Sequence, residues 1–500
     1  MTQPLRIVIA GGGTAGWMAA NLFANSWKNS PVEISLIESE DIGTIGVGEG
    51  STPTLKRFFQ TLSIAEHEWM PQCQATYKVN IKFNGWNGDV HASYSHPFIS
   101  QLDVFSERAF HINALTRRLG LNVETRPEKF LMAGYLAKKQ LAPIPSHNFP
   151  FAIEYGYHFD SMKLGQFLRN FGKKLGVKHI IGNIESVETH ANGEISALTC
   201  TDGRRIEGNL FVDCTGFNSL LLQKTLGVKF NAFSKNLFND AAVVLPTASL
   251  QTMPVETEST AMSNGWCWQI PLRNRTGNGY VYSQQYQSKE DAERELRQRL
   301  HLLDSDIEAK HLKMRVGQCE KHWYKNCLAL GLAQGFIEPL EATALHLVQV
   351  SIEMFIDTFT KGHFSAQYQD TYNKDISERF ERIRDYIVCH YKLNGRRDSQ
   401  YWVDNRDNMH LSESLLSLLD VWYRKGDIVE EIKRQGIGKH FSTTSWHCLL
   451  AGYGVFPPIA LQQPDSLKEK GDLFEENKLA SFFSRCSLNF EKQKLLFQIA

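Results

Sequence analysis

Residues 5–17 read Leu-Arg-Ile-Val-Ile-Ala-Gly-Gly-Gly-Thr-Ala-Gly-Trp. The first six have the length and apolar, β-branched content of a short buried strand, and the glycines follow with no spacer. From Gly16 onward the pattern turns helical, carried by alanines, Met18, Leu22 and Phe23. A second apolar run at 32–37 closes on Glu38. Strand, glycine turn, helix, strand and terminal acid make a βαβ unit. Within it Gly11, Gly13 and Gly16 spell G-x-G-x-x-G around Thr14 and Ala15. Bare backbone at such a turn sets free N–H groups and the positive end of a helix dipole against a pyrophosphate. Glu38 stands 22 residues after Gly16, close to the ~20 expected of an acid that holds ribose hydroxyls. An acid here favours an unphosphorylated ribose, so the turn suits FAD or NAD.

Further glycine turns separate these two. The stretch 43–53 contains Gly46, Val47, Gly48 and Glu49, and two later segments, 213–216 and 331–340 with Leu332, each pair a strand end with a glycine turn. Large flavoproteins bring distant turns of this kind to one extended cofactor, whereas a simple NAD domain needs only the first. Ordinary loops are the competing reading. Pro339 followed by Glu341-Ala342-Thr343-Ala344-Leu345 reads as a turn and then a helix start. The backbone N–H groups of Thr343 and Ala344 suit a small anion there. Glu341 can equally be a first-turn acid that complements the helix dipole. In 77–83 the apolar side chains share one face of a half-buried strand, and Lys78, Asn80 and Lys82 share the other. A solvated polar face is the plainer reading, and spacing does not choose between the two lysines. The segment Trp266-Cys267-Trp268-Gln269-Ile270-Pro271 puts two tryptophans on one side of a strand, an arrangement met more often in cores than at reacting centres.

The 500 residues carry 54 Lys plus Arg against 54 Asp plus Glu, a zero net charge that argues against a nucleic-acid or polybasic membrane partner. Nine widely spaced cysteines without a C-x-x-C pair speak against a disulfide framework and against a metal site. No apolar run reaches the ~18 residues of a membrane span, and no secretory leader precedes the first strand, so a cytoplasmic protein is expected. Strands are expected at 177–187, 194–200 and 209–212, a helix at 161–175, and helices at 343–359, 375–391 and 412–423. The fold class that follows is α/β with mixed α+β character: a nucleotide- or flavin-type module over residues 1–360, and a helical C-terminal module over 361–500 packed on it.

Taken together, GGGTAGW (11–17), GVGEGSTP (46–53), W-x-W-x-I-P (266–271) and GFIEPLEAT (335–343) recur in the order found in the flavin-dependent tryptophan halogenases, which this chain resembles over about residues 5–455. The 77–83 segment, Y-K-V-x-I-K-F, is similar to that family's lysine-bearing strand. The resemblance implies a flavin-monooxygenase-like module that receives reduced FAD from a separate flavin reductase and uses O₂ to oxidise chloride or bromide to hypohalous acid. It further implies that halide sits at Thr343 and Ala344, that Trp266 and Trp268 shield the flavin from organic substrate, and that Lys78 presents the oxidant to a small aromatic such as indole or tryptophan. A desolvated ammonium with several donors suits that role. Glu341 would stabilise the cationic ring and take its proton. The cofactor contacts implied are Gly11, Gly13, Thr14, Ala15, Gly16, Glu38, Gly46, Val47, Gly48, Glu49, Leu332 and Leu345. The family often reads P-L-E-S-T-G where this chain has P-L-E-A-T-A, so Ala342 lacks a hydroxyl and Ala344 stands for a glycine. Aromatic-lid candidates lie at Tyr401–Trp402, Trp422–Tyr423 and Trp446–His447. Substrate, halide preference and homodimer formation stay open, as do the rival readings of an FAD-dependent aromatic monooxygenase and a non-catalytic FAD-binding redox sensor.

Overall fold

The computed structural model describes residues 3–40, 48–89, 92–146, 148–459, 472–476 and 478–498. The chain forms two compact units, each assembled from three segments. The first takes Met1–Ala75, Phe159–Ser234 and Met314–Glu381, and the second Thr76–His158, Lys235–Lys313 and Arg382–Ala500. The change of character near residue 360 therefore falls inside the first unit's third segment.

The first unit is built on a six-stranded sheet in the order Trp323–Tyr324, Cys327–Ala329, Leu210–Asp213, Leu5–Ala10, Val32–Glu38, Lys178–Ile181. Every pairing is parallel except the outermost, Trp323–Tyr324 with Cys327–Ala329. A parallel sheet is covered on both faces, which is why Ile7, Val8, Ile9 and Ala10 are all buried instead of alternating. The helix Thr14–Ser26 packs on Ser161–Lys174 and Ala344–Lys361. Buried Asn21 ties it down, donating to the Trp17 and Leu168 carbonyls at 2.7 and 2.9 Å. Ser161–Lys174 begins where the Asp160 carboxylate accepts from the Lys163 N–H at 3.0 Å, an N-cap that a propensity pattern alone does not locate. The single strand expected at 177–187 is two, Lys178–Ile181 and Ile184–Thr189, in different sheets. Gly182 and Asn183 break it, the Gly182 N–H bonding the Glu38 carbonyl at 2.9 Å.

The second unit centres on a seven-stranded sheet in the order Lys310–Lys313, Ala241–Thr247, Thr276–Tyr282, Gly265–Pro271, Glu256–Met262, Asn80–Asn84, Ser93–Pro97. Its pairs are antiparallel apart from Glu256–Met262 with Asn80–Asn84. Helices from the C-terminal segment complete the unit, and Arg118 secures two of its elements by donating to the Val421, Trp422 and Gly426 carbonyls. Phe83 stacks on Tyr94 with centroids 4.8 Å apart, and the Tyr94 hydroxyl lies 2.9 Å from His390 Nδ1. The expected helix at 412–423 is Glu413–Tyr423, with Ser412 accepting from the Leu415 N–H as its cap.

Candidate active site

In the first unit the glycine turns converge at the carboxyl ends of the parallel strands, the usual ligand edge of such a sheet. Gly11 has φ +109°, and a Cβ there would lie 2.2 Å from the Cys214 carbonyl oxygen. A Cβ on Gly16 would lie 2.0 Å from the Gly11 oxygen. Both positions therefore require glycine for backbone-to-backbone approach. Gly13, which caps the helix Thr14–Ser26, differs: a Cβ there would meet nothing within 4 Å, and the same holds for Gly216. Bare backbone thus faces open space at a 13-residue helix N-terminus, which is what an extended pyrophosphate requires. The residues present fit FAD on this ground.

The turns at 213–216 and 331–335 join the first one directly. Cys214 N–H bonds the Ala10 carbonyl at 2.8 Å, Leu330 N–H bonds the Asp213 carbonyl at 3.0 Å, and a Cβ on Gly331 would lie 2.8 Å from that of Ala15. Leu332 sits in the short 3₁₀ turn Gly331–Ala333, and Thr14 Oγ1 reaches the Ser161 carbonyl at 3.4 Å. Glu38 is held by three donors: His179 Nε2 at 2.6 Å, Arg169 Nη1 at 3.4 Å and Trp17 Nε1 at 3.4 Å. Gly12 makes room for that carboxylate, since a Cβ there would collide with Glu38 Oε2. Gly48 and Glu49 lie in the strand Gly48–Gly50, and Gly46 and Val47 lie outside the described residues. Burial pushes the Glu49 carboxyl up to about 7 against an opposing hydrogen bond with Ser161.

Asp213 stands in the sequence only as the strand end of the 213–216 turn, with no role of its own. It is fully buried, and its carboxylate accepts from Thr215 N–H (3.0 Å), Thr215 Oγ1 (2.6 Å), Leu221 N–H (2.8 Å) and Leu222 N–H (2.9 Å). It sets the shape of the turn that presents Gly216. A strand-terminal acid followed by threonine and glycine was the available signal.

Glu341, Thr343, Ala344 and Leu345 gather at the start of the helix Ala344–Lys361. Glu341 closes the 3₁₀ turn Pro339–Glu341 and is buried, as are Thr343 and Leu345, while Ala344 is half-buried. Thr343 Oγ1 has no hydrogen-bond partner among the described residues, so the helix begins without a side-chain cap. The first-turn N–H groups have no intrahelical acceptor, an arrangement suited to a monatomic anion. The one left-handed residue of the segment is Ala342, at φ +55°. The glycine-like position is thus one occupied by a side chain.

In the second unit, Lys78 ends the strand Thr76–Lys78 and is completely buried, its Nζ 5.6 Å from the Phe98 ring centroid. The solvated polar face expected for 77–83 is absent: Tyr77, Lys78, Val79, Asn80 and Ile81 are all buried. The run is also two strands, broken at Val79, whose N–H bonds the Val255 carbonyl at 2.7 Å. Burial separates the lysines that spacing left equivalent, because Lys82 is partly exposed and 4.0 Å from Glu258. Trp266 and Trp268 are buried in the strand Gly265–Pro271, with centroids 6.1 Å apart. Gly279 faces Trp268 across the ladder, and a Cβ there would lie 2.0 Å from the indole. Trp268 Nε1 has no partner among the described residues.

The lid candidates divide. Tyr401, Trp402 and Trp422 are core side chains whose polar atoms bond Asn239, the Met262 carbonyl and the Val455 carbonyl. Tyr423 is exposed and His447 buried. Trp446 lines a cavity of only about 10 Å³ with Arg382, Asp385, Ser414 and Phe441, too small for an aromatic substrate.

Comparison with known proteins shows what this chain is similar to. The family model described as tryptophan halogenase matches residues 6–469. Tryptophan 6-halogenase SttH of Streptomyces toxytricini is 35% identical over 442 residues, 84% of either chain. The crystal structure of that enzyme superposes with a TM-score of 0.85 over 100% of both chains. BrvH, a flavin-dependent halogenase from Brevundimonas sp. BAL3, superposes with a TM-score of 0.84 over 100% of both chains at 30% identity.

Proposed function

Because the chain belongs to the tryptophan halogenase family, we propose that it halogenates an electron-rich, indolic aromatic with Lys78 presenting the oxidant. The chain is a flavin-dependent halogenase, an oxidoreductase that draws FADH₂ from a separate flavin reductase. Bound reduced FAD and O₂ supply the two-electron oxidation that converts halide to hypohalous acid. Residues of 1–360 hold that cofactor, through backbone at Gly11, Gly13, Thr14, Ala15, Gly16 and Gly48, with Glu38, Glu49, Leu332 and Leu345 beside it. Thr343 and Ala344 offer N–H groups to the halide, and Trp266 and Trp268 keep organic substrate from the flavin. Residues of 361–500 contribute to the substrate pocket.

One observation carries the reading: a lysine with no exposed surface, Lys78, in a chain that matches halogenases along almost its whole length. A desolvated ammonium keeps several N–H donors within a dry site, which suits it to presenting an oxidant. The Lys78 ammonium donates a proton to the oxygen of HOX as the ring carbon attacks halogen, so the O–X bond breaks and water leaves; Lys78 then regains a proton from solvent. Glu341 then removes the ring proton, restoring aromaticity; a buried carboxylate stabilises the cation before it does so. Nine free cysteines support a cytoplasmic setting. The exposed side chains Val104, Phe105, Ile112, Leu115 and Leu119 support a homodimer, testable by light scattering.

The experiment is turnover with FADH₂ from a generic reductase, oxygen, and bromide or chloride, on a panel of indole, tryptophan, phenols and pyrroles. Products showing halogen isotope patterns support the proposal. Oxygenated products without halogen overturn it.

A further inference from the structure

Thr76, Lys78 and His158 are each fully buried. In the antiparallel ladder Thr76 faces His158 and Lys78 faces Gly156. Side chains two apart on a strand share a face, so lysine, threonine and imidazole lie on one side, and the position directly across from Lys78 carries no side chain. The hydrogen bonds on that face can be followed proton by proton. Thr76 Oγ1 lies 2.7 Å from the Pro271 carbonyl, which can only accept, so the one hydroxyl proton goes there. Toward His158 Nδ1, 3.3 Å away, the same oxygen is then the acceptor and Nδ1 carries the hydrogen. Nε2 of the neutral ring is left to accept, and Thr257 Oγ1 donates to it at 2.8 Å.

The relay runs from Thr257 through His158 and Thr76 to Pro271, the last residue of the strand that bears Trp266 and Trp268. We propose that His158 is a positioning residue for Lys78: a neutral imidazole protonated on Nδ1 that donates to Thr76, so that the Thr76 hydroxyl is aimed at Pro271 and ties the lysine strand to the tryptophan strand, and that keeps a second cation from forming beside the lysine. Desolvation holds this imidazole well below the ordinary histidine range, and the Lys78 charge acts in the same direction. By reciprocity, a protonated imidazole here would work against the ammonium that presents the oxidant.

The inference rests on the role proposed for Lys78, and its test separates the two. In ¹⁵N-histidine-labelled full-length protein, the His158 resonances are identified by their loss in His158→Asn. Nδ1 protonated, Nε2 unprotonated and no titration across about pH 5–8 is the expected result. An Nε2–H tautomer, or titration near the ordinary value, overturns the inference whether or not Lys78 is catalytic. In turnover, His158→Phe is expected to lower kcat about tenfold with KM for the aromatic substrate unchanged, and His158→Asn, which still donates and accepts, to recover most of it. Equal kcat in the Phe and Asn variants also overturns it. Lys78→Ala at full activity would remove the proposed role of the lysine while leaving the tautomer result standing.

Discussion

Replacing Asp213 tests how the first unit holds its cofactor edge. Asp213→Ala removes the acceptor of three backbone N–H groups, those of Thr215, Leu221 and Leu222, at 2.8–3.0 Å. Of the two hydroxyls that also reach the carboxylate, Ser219 Oγ has another acceptor in the Ala333 carbonyl at 3.1 Å, and Thr215 Oγ1 can rotate its proton away while still accepting from the Leu220 N–H. The backbone donors cannot turn away. At roughly 1–3 kcal/mol for each stranded buried donor, with some recovered by water entering the gap, a loss of about 3–5 kcal/mol is expected. That is a large share of the roughly 5–15 kcal/mol that holds a domain folded. Asp213→Asn keeps one acceptor oxygen and should lose about 1–3 kcal/mol. Urea unfolding followed by tryptophan fluorescence gives the order, and quenching of added FAD gives the affinity, which should fall in the same order because the turn presenting Gly216 loosens. An alanine variant within about 0.5 kcal/mol of the parent, with FAD affinity unchanged, would refute the reasoning.

Other consequences follow from single residues. Ala342 holds a left-handed conformation that costs a side chain about 1–2 kcal/mol; Ala342→Gly should therefore unfold at the same or a slightly higher temperature, and a clear drop would contradict the strain. Gly279→Ala places a Cβ 2.0 Å from the Trp268 ring, so the indole must move and its near-ultraviolet dichroism change; an unaltered spectrum would count against the packing described. Burial raises the Glu49 carboxyl to about 7 from an ordinary value of 4.5, so the folded state binds that proton more tightly than the unfolded chain. The associated stability is present below pH 4.5 and is lost as pH rises through about 7, by at most roughly 3 kcal/mol. Glu49→Gln should flatten that loss between pH 5 and 8 in the cofactor-free protein, and parallel stability curves for the two would contradict it.

The βαβ unit was legible because its signals are local: an apolar run, a glycine turn and an acid within forty residues. The same locality explains why Gly11 and Gly16 were identified without the carbonyl that each avoids. What the sequence did not carry was long-range. Lys78 and Lys82 are equivalent by alternation, and only the strand break at Val79 and the packing around it bury one and leave the other at the surface. Asp213 looks like an ordinary strand end, because two of the N–H groups it accepts from, those of Leu221 and Leu222, belong to a wide helical turn eight and nine residues on. Tyr401, Trp402 and Trp422 suggested a lid by composition, yet their partners at Asn239, Met262 and Val455 make the first two parts of a core assembled across more than a hundred residues. The interleaving of the two units is of the same kind, since each draws on three separate segments.

Lys78, wholly buried, and not the partly exposed Lys82, presents the oxidant. Lys78→Ala and Lys82→Ala, each assayed with FADH₂, oxygen, bromide and an indole substrate, test it most directly, with FAD affinity measured alongside. Lys78→Ala is expected to bind FAD normally and form no brominated product, while Lys82→Ala is expected to brominate at close to the parent rate. Brominated product at normal rate from Lys78→Ala would contradict it.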